Sequence, residues 1–128
     1  MASPFIELDV GGRVVKVTNP DKVYFPARGE TKLDLVRYFI AVGDGIVRAL
    51  RERPCQLKRQ PEGFGGEVIW QKRVPERRPD WIETARVTFP SGRHADELCV
   101  TELAHVVWAA NLATLEFGAW PSRRADPE

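Results

Sequence analysis

The sequence predicts an α+β fold in which a mostly antiparallel sheet is accompanied by two main helices. Short β-prone segments between Gly and Pro turns indicate the strands, and two stretches with apolar residues at helical spacing indicate the helices. The elements follow one another as strands, helix, strands and helix, an order typical of α+β folds. With 128 residues, 43% of them apolar and 29% charged, the composition is that of one globular domain or one lobe of a larger one.

The chain is predicted to begin with a β-hairpin. Residues 5–10 and 13–17 are β-prone, and the dipeptide Gly11-Gly12 between them is a strong signal for a two-residue turn. Residues 18–22 are rich in turn and capping residue types. We therefore expect the hairpin to be followed by a tight turn.

The clearest predicted helix begins at Thr31, whose hydroxyl can cap it while Asp34, three residues on, completes a capping box. The helix is expected to end at Arg53-Pro54. Gly43 and Gly45 weaken its middle, so a bend or a close contact is expected there.

The second half is predicted to contain further strands and one more helix, which runs from a cap at Thr101 to about Leu115. Residues 119–128 are a predicted linker to a missing catalytic part, so that 1–128 is a single truncated lobe. The predicted strands cover residues 55–60, 67–73, 81–89 and 98–100.

Composition and motifs exclude several classes of protein. No apolar run approaches the roughly 18 to 20 residues needed to cross a bilayer, and the first residues lack the order of a secretion signal, so a cytoplasmic location is expected. Cys55 and Cys99 are far apart and are predicted to be reduced and buried. Residues 13–73 carry 13 Lys and Arg against 7 Asp and Glu, so a polyanion would be attracted to the first half.

The sequence contains no convincing set of catalytic carboxylates or metal ligands. Phosphate-loop, nucleophile-elbow and zinc-protease motifs are absent. Asp96 and Glu97 are adjacent and would point in different directions on a strand. His94 and His105 complete no metal-ligand spacing and are interpreted as non-catalytic. We therefore expect the chain to bind no metal and no cofactor by itself.

A candidate anion site lies at the start of the first helix. The positive end of a helix attracts anions, and Lys32 in its first turn is out of keeping with the helix dipole unless an anion offsets both. Lys22 lies just upstream, beside Asn19, whose side-chain amide could donate a hydrogen bond. Spacing alone leaves open that both lysines are solvated surface charges.

A second candidate is formed by Lys58, Arg59 and Trp70. Adjacent residues of a strand face opposite ways, so at most one of Lys58 and Arg59 can point into a shared groove. An exposed Trp70 beside basic residues could stack on a base, whereas a tryptophan in a strand can equally belong to the core. Trp81, Trp108 and Trp120 are assigned to packing.

These residues also carry a resemblance to a known family. The run Val17-Thr18-Asn19-Pro20-Asp21-Lys22-Val23-Tyr24-Phe25-Pro26, followed by Gly29-Glu30-Thr31-Lys32, resembles the start of the polymerase domain of bacterial DNA ligase D, a primase-polymerase of the archaeo-eukaryotic primase superfamily. The resemblance continues through Arg53-Pro54, Lys58-Arg59, Gln71-Lys72, Pro79-x-Trp81-Ile82 and the Trp108 helix, from about residue 13 to residue 124.

The resemblance implies a role in double-strand break repair by non-homologous end joining. In that family, residues matching Asn19, Lys22 and Lys32 hold the 5′-phosphate of the downstream strand at a gap or break. Lys58 and Arg59 match basic residues near the DNA and nucleotide cleft. Ile69-Trp70 match two aromatic residues that pack against the template, and Ile69 departs from that pattern.

Two further departures concern catalysis. The family's Asp-x-Asp pair, which binds Mn²⁺ or Mg²⁺, comes after the segment at which this sequence ends. A histidine that many members carry near Glu116 is replaced here by the stretch from Phe117 to Trp120. A divalent metal is therefore implied only for a full-length parent, and the chain alone is expected to be inactive.

Three hypotheses remain at this point. The first is a DNA-end-binding lobe that recognises a 5′-phosphate. The second is a fragment of an active metal-dependent nucleotidyltransferase whose catalytic residues lie beyond Glu128. The third is a protein-interaction module of a repair complex, with the Ku end-binding protein or the ligase and nuclease components of end joining as partners. Self-association through surface exposed by truncation is also expected.

Overall fold

A computed structural model describes residues 4–120, which form nine strands and three helices. The strands pair antiparallel in three sheets: the hairpin β1–β2, the short pair β3–β4, and a sheet of five strands, β5 to β9. The predicted α+β class is confirmed. The elements are β1 Phe5–Val10, β2 Arg13–Thr18, β3 Val23–Phe25, β4 Glu30–Thr31, α1 Lys32–Ala41, α2 Gly43–Leu50, β5 Pro54–Arg59, β6 Ile69–Gln71, β7 Thr84–Thr88, β8 His94–Cys99, α3 Leu103–Asn111 and β9 Thr114–Ala119.

The opening hairpin forms as predicted. Val10 pairs with Arg13 across a two-residue turn, and Gly11 and Gly12 have φ angles of 59° and 88°. Positive φ at both turn positions is what a type I′ hairpin requires, and glycine adopts it without steric cost. The hairpin places Thr18, at the end of β2, beside the start of α1.

Strand β5 is the centre of the large sheet. Its Cys55 pairs with Ala119 of β9 and with Leu98 of β8, so these two strands lie on opposite edges of β5. Strand β6 pairs with the later part of β5 and continues along the same edge as β8, while β7 lies outside β8. Lys58 and Arg59, the last residues of β5, are therefore flanked by β6 on one side and β9 on the other.

The first predicted helix is divided into two consecutive helices near the glycines where a bend was expected, so the described residues form three helices. Helix α1 ends at Ala41, the backbone φ and ψ of the next residue, Val42, are −101° and 11° and interrupt the regular turn, and α2 begins at Gly43. A Cβ atom built on Gly43 would lie 2.5 Å from Leu103 Cδ1, so glycine allows α2 to pass close to the start of α3. The close contact expected near Gly43 is thereby explained.

The second predicted helix is shorter than expected. Helix α3 ends at Asn111, and the segment Thr114–Ala119 forms strand β9 against β5. Ala113 has a φ of 66°, a left-handed conformation that reverses the chain direction. Over so few residues, the apolar positions after Asn111 fit both the spacing of a helix and the alternation of a strand. Pairing with β5 makes this segment a strand.

Three predicted strands have different bounds in the structure. The strand predicted over 67–73 is limited to Ile69–Gln71, and that over 81–89 to Thr84–Thr88, because a turn at Pro79–Ile82 precedes it. The strand predicted over 98–100 is longer and begins at His94. Of the predicted linker 119–128, Ala119 ends β9 and the Trp120 N–H donates to the Pro54 carbonyl at 2.9 Å. Residues 121–128 lie outside the described residues.

The core is centred on α3, which contacts α1, α2, β2 and β9. Seven of its nine residues are buried, and an apolar surface all round a helix is typical of a central helix. Cys55 and Cys99 are reduced and buried, as predicted, and burial raises the pKa of the Cys55 thiol to about 12. Trp108 is also buried, in agreement with its predicted packing role.

Among the described residues, no helix has both the length and the apolar character needed to cross a membrane.

Candidate nucleic-acid interface

The turn after β2 positions the first candidate residues. Asn19 has a φ of 49°, a left-handed conformation that asparagine tolerates better than most residues. Its N–H donates to the Pro4 carbonyl at 2.8 Å, and its carbonyl accepts the Lys22 N–H at 3.1 Å. The turn predicted over 18–22 is therefore present. It leaves the Asn19 side chain exposed and directs the chain so that Lys22 lies beside α1.

Lys22 is held by the loop between β5 and β6. Its Nζ donates to the Pro61 carbonyl at 2.7 Å and lies 3.7 Å from Glu62 Oε2. The same ammonium is 5.9 Å from the centroid of the Tyr24 ring. The Lys22 side chain is 38% exposed, so its charge remains accessible to a ligand.

Lys32 is a buried cation. Only 4% of the residue is exposed, and its Nζ donates to Thr18 Oγ1 at 3.1 Å. Thr18 in turn is fixed by Asn111, whose Oδ1 accepts from the Thr18 N–H at 2.7 Å. Within the described part of the chain, no carboxylate lies at ion-pair distance from the Lys32 ammonium. A buried charge without a counter-ion is costly, which makes this position a candidate binding site.

Arg59 joins the two lysines instead of joining Lys58 and Trp70. Burial, and then the charges of Lys22 and Arg59, lower the pKa of Lys32 to about 8. We call Lys22, Lys32 and Arg59 the cation cluster. Arg59 is itself fixed, because its Nε donates to the Leu112 carbonyl at 2.6 Å and its Nη1 donates to Gln71 Oε1 at 2.7 Å.

The first backbone N–H groups of α1 are not free to bind an anion. The Lys32 N–H donates to the Lys22 carbonyl at 2.8 Å, and the Leu33 N–H donates to the Pro20 carbonyl at 2.9 Å. Thr31 and Asp34 form the predicted capping box, in which the Thr31 hydroxyl accepts the Asp34 N–H. These first N–H groups are therefore occupied by the protein, and an anion at this end of α1 has to rely on side chains.

Lys58 and Trp70 form a separate group on the opposite face of the sheet from Arg59. They are directly paired across β5 and β6, and Lys58 Nζ lies 5.8 Å from the centroid of the Trp70 ring. The same ammonium lies 2.6 Å from Glu116 Oε2 on β9. Trp70 is 57% exposed, so it is a surface residue and not part of the core. The alternation predicted for Lys58 and Arg59 is confirmed.

Ile69 precedes Trp70 in β6 and is paired with Arg59. It is 41% exposed, so both residues of the pair Ile69-Trp70 reach the surface, one on each face of the strand. A branched aliphatic side chain at this position can pack against a flat ligand but has no ring to stack on it.

A cleft of about 560 Å³ opens beside Lys58. One wall is aromatic, because the Phe25 and Phe64 rings are stacked with their centroids 5.9 Å apart and Tyr38 lines the same space. Phe64 belongs to the loop whose Pro61 and Glu62 hold Lys22. The other lining residues are Arg28, Glu30, Asp34, Leu35, Lys58, Gln60, Leu115 and Glu116.

The one group of metal-ligand residue types among the described residues consists of Glu83, Glu102 and His105. His105 is fully buried, its Nδ1 accepts the Thr101 N–H at 3.1 Å, and its Nε2 is 2.8 Å from the Trp81 carbonyl. Nε2 therefore carries the proton and donates, which leaves neither ring nitrogen for a metal. This group does not fit a metal ion, and His105 has a structural role.

Asp96 and Glu97 point away from each other on β8, as predicted. Asp96 bonds to Arg86 at the surface, and this hydrogen bond lowers the pKa of its carboxyl. Glu97 is fully buried, and burial raises its pKa, while Trp120 Nε1 donates to its Oε1 at 3.0 Å. The two carboxylates therefore cannot share one metal ion.

Sequence reasoning missed several residues of this interface. The Pro61 carbonyl, Thr18 and Asn111 hold the two lysines, and the Phe25–Phe64 pair lines the cleft. Backbone carbonyls and single polar residues carry no sequence signal. The position of Arg59 could have been deduced, because strand alternation puts it on the same face as the buried Leu57.

The match to known proteins agrees with this architecture. A family model described as the LigD primase-polymerase domain matches residues 31–128, so the chain belongs to that family. Multifunctional non-homologous end joining protein LigD of Mycolicibacterium smegmatis is 33% identical over 102 residues, which are 80% of this chain and 13% of that protein. Bifunctional non-homologous end joining protein LigD of Bacillus subtilis is 30% identical over 103 residues, 80% of this chain and 16% of that protein.

A solved structure shows the same fold. The polymerase domain from Mycobacterium tuberculosis ligase D, in complex with DNA, superposes with a TM-score of 0.81 and 30% sequence identity. The match covers 85% of this chain and 38% of that one. The chain thus spans a minor part of each of these relatives.

Proposed function

We propose that the chain is the DNA-end-binding lobe of a primase-polymerase of non-homologous end joining, and that it recognises the 5′-phosphate of gapped or broken DNA. The observation that carries this proposal is the buried Lys32, which lacks a counter-ion in the described structure and lies beside Lys22 and Arg59. The charges of Lys22 and Arg59 disfavour the protonated form of Lys32, and a bound anion would offset this repulsion.

The chemistry of the cluster suits a terminal phosphate. A phosphate monoester carries nearly two negative charges at neutral pH and has three oxygens that accept hydrogen bonds. Lys22 and Lys32 would contribute charged donors to it, and Asn19 at the exposed turn would contribute its amide. The low dielectric around a buried ammonium strengthens its attraction for an anion that displaces the local water.

Lys58 and Trp70 are suited to bind a second segment of the DNA. An exposed tryptophan beside an ammonium can stack on a base while the ammonium attracts the backbone. Because Lys58 and Arg59 lie on opposite faces of β5, we infer that Lys58 and Trp70 hold the template strand and that Arg59 contributes to the phosphate site.

Nucleotidyl transfer requires divalent metal, and the described residues offer no site for it, since both nitrogens of His105 are engaged. Any such activity would use carboxylates other than those of this group. The binding function proposed for this chain is independent of them.

The proposal is tested by the affinity of the chain for a gapped duplex with and without a 5′-phosphate at the gap. Wild type is expected to bind the phosphorylated DNA at least 10-fold more tightly, because charge-assisted hydrogen bonds contribute about 1.5 to 3 kcal/mol each. The variant Lys22→Ala/Lys32→Ala is expected to lose this preference in fluorescence anisotropy titrations.

A matched control is Lys16→Ala/Lys72→Ala, which removes two exposed lysines outside the cluster. It is expected to lower affinity for both DNAs equally and to keep the phosphate preference. Equal binding of both DNAs by wild type would refute end recognition and favour a role in protein interaction.

The preference for the 5′-phosphate is expected to decrease as the pH rises from 7 to 9. Lys32, with a pKa of about 8, is mostly charged at pH 7 and mostly neutral at pH 9, whereas the phosphate is already a dianion above pH 7.5. Above pH 8 the preference should fall by up to about 10-fold per pH unit. Lys32→Arg, whose guanidinium stays charged, should give a flat profile over the same range.

A further inference from the structure

The cleft beside Lys58 has no role in the phosphate site, and its chemistry differs from that of the cation cluster. Its charged residues are already paired within the protein. Lys58 lies 2.6 Å from Glu116, Arg28 Nε lies 3.4 Å from Glu30 Oε1, and Asp34 is engaged in the capping box. The lining therefore carries three carboxylates against two cations, each cation being offset by a carboxylate, so the cleft as a whole has no net positive charge for a phosphate.

What remains available in the cleft is its aromatic wall. Phe64 is 64% exposed although its ring is stacked on Phe25 with an interplanar angle of 28°. Tyr38 of α1 is 60% exposed and lines the same cleft. Exposed aromatic rings around a cleft of about 560 Å³ suit a flat, uncharged, aromatic ligand, and this volume falls within the usual range for small-molecule sites.

The position of the cleft identifies the source of such a ligand. One loop connects it to the cation cluster, since Pro61 and Glu62 contact Lys22 and Phe64 follows two residues later. The loop is tied to β3, because the Phe64 N–H donates to the Tyr24 carbonyl at 2.7 Å. A strand bound at the cluster would therefore lie one short loop away from the aromatic wall.

We propose that this cleft receives an unpaired nucleobase of the DNA bound at the cation cluster, with the base stacked on Phe64. The inference rests on the proposed function for the source of the base. The cleft would be a second recognition site, which binds an unpaired base at the DNA end and not the phosphate. Glu30, which is paired with Arg28, and Glu116, which is paired with Lys58, also line the cleft. Their carboxylates can accept hydrogen bonds from the exocyclic amino group of such a base.

The test uses the whole chain and two gapped duplexes that carry, at the unpaired position, either 2-aminopurine or an abasic analogue. Wild type is expected to bind the 2-aminopurine DNA about 5- to 100-fold more tightly and to quench its fluorescence, since one base stacked on an aromatic ring contributes at this level. Phe64→Ala should abolish both the difference and the quenching. Phe5→Ala, a change of another exposed phenylalanine (48% exposed) on β1, should preserve them.

The arms separate this inference from the proposed function. Equal binding of both duplexes by wild type, with the 5′-phosphate preference intact, would overturn the cleft site alone. A difference that survives in Phe64→Ala would also overturn it, because the base would then be stacked elsewhere. A single strand that contains 2-aminopurine and ends in a 5′-hydroxyl provides a further test. If wild type quenches its fluorescence and Phe64→Ala does not, the result would support the cleft site even if the phosphate preference were absent. No binding of any of these DNAs would overturn both.

Discussion

Replacement of Lys32 by methionine is expected to weaken binding of 5′-phosphorylated DNA by roughly 10- to 100-fold while making the folded chain more stable. Lys32 is buried, its ammonium donates to Thr18, and two other cations lie nearby. Methionine has a similar length and no charge, so the variant avoids the cost of burying an unpaired cation. The pKa of Lys32, about 8 against 10.5, shows that the folded state disfavours this charge, so its removal is expected to stabilise the fold by about 1 to 3 kcal/mol.

The pH dependence of stability tests whether the charge of Lys32 causes the expected stabilisation by Lys32→Met. The pKa of Lys32 in the folded state, about 8, lies below the ordinary value of 10.5, so the folded state disfavours the protonated form. The wild type should gain stability as the pH rises from 8 to 10.5 and lose it as the pH falls through 8. The advantage of Lys32→Met should therefore be largest below pH 8 and shrink above it, as measured by urea unfolding at each pH.

The surface variant Lys16→Met is the control for this experiment. Lys16 is exposed on β2, so its replacement should leave both stability and the 5′-phosphate preference nearly unchanged. A Lys32→Met protein that is less stable than wild type would mean that the Lys32 ammonium is well solvated or paired. The argument that this lysine is kept for binding would then fail.

Replacement of Gly63 by alanine is expected to destabilise the fold by about 2 to 4 kcal/mol. Gly63 has a φ of 103°, and a Cβ atom there would lie 2.9 Å from the Tyr24 carbonyl oxygen and 3.2 Å from the Tyr24 Cα. The positive φ alone costs on the order of 1 to 3 kcal/mol, and the contact with backbone atoms adds to it because neither side can rotate away. Urea unfolding measures the loss.

Gly65 offers a matched comparison two residues further on. Its φ of 92° is similar, yet nothing lies within 4 Å of the position of an added Cβ. Gly65→Ala should therefore show only the cost of the positive φ, about 1 kcal/mol at the low end of the range. Similar losses for Gly63→Ala and Gly65→Ala would show that the contact between the loop and Tyr24 does not limit stability.

The Gly63 variant also tests whether one loop supports both parts of the interface. The loop that carries Gly63 supplies the Pro61 carbonyl to Lys22 and the Phe64 ring to the cleft. A loop displaced from β3 should therefore reduce both the 5′-phosphate preference and the response to an unpaired base, whereas the single changes at Lys32 and Phe64 should each affect one of them.

Local sequence signals predicted much of the fold. The Gly11-Gly12 turn and the Thr31–Asp34 capping box each depend on residues a few positions apart, and both are present. The end of α3 could not be predicted in the same way, because the pairing of Thr114–Ala119 with β5 is a contact between distant parts of the chain. The break at Gly43 likewise depends on Leu103, sixty positions away in the sequence.

For the candidate site, the sequence indicated the charged and aromatic residues but not their grouping. Lys22, Lys32, Lys58, Arg59 and Trp70 were identified by type and by family resemblance. The grouping of Arg59 with the lysines results from strand alternation combined with the position of the 60–66 loop, which no local pattern predicts. Whether these residues bind DNA stays a prediction that the experiments above address.

The two buried thiols have a practical consequence for those experiments. Cys55 and Cys99 are both buried, and the Cys55 thiol, with a pKa of about 12, is almost entirely protonated at neutral pH. Maleimide reagents require an accessible thiolate, so the two native cysteines are not expected to react with them. A dye can thus be attached at a single engineered surface cysteine without first removing the native ones, and energy transfer to a labelled oligonucleotide can then report on which side of β5 the strand lies.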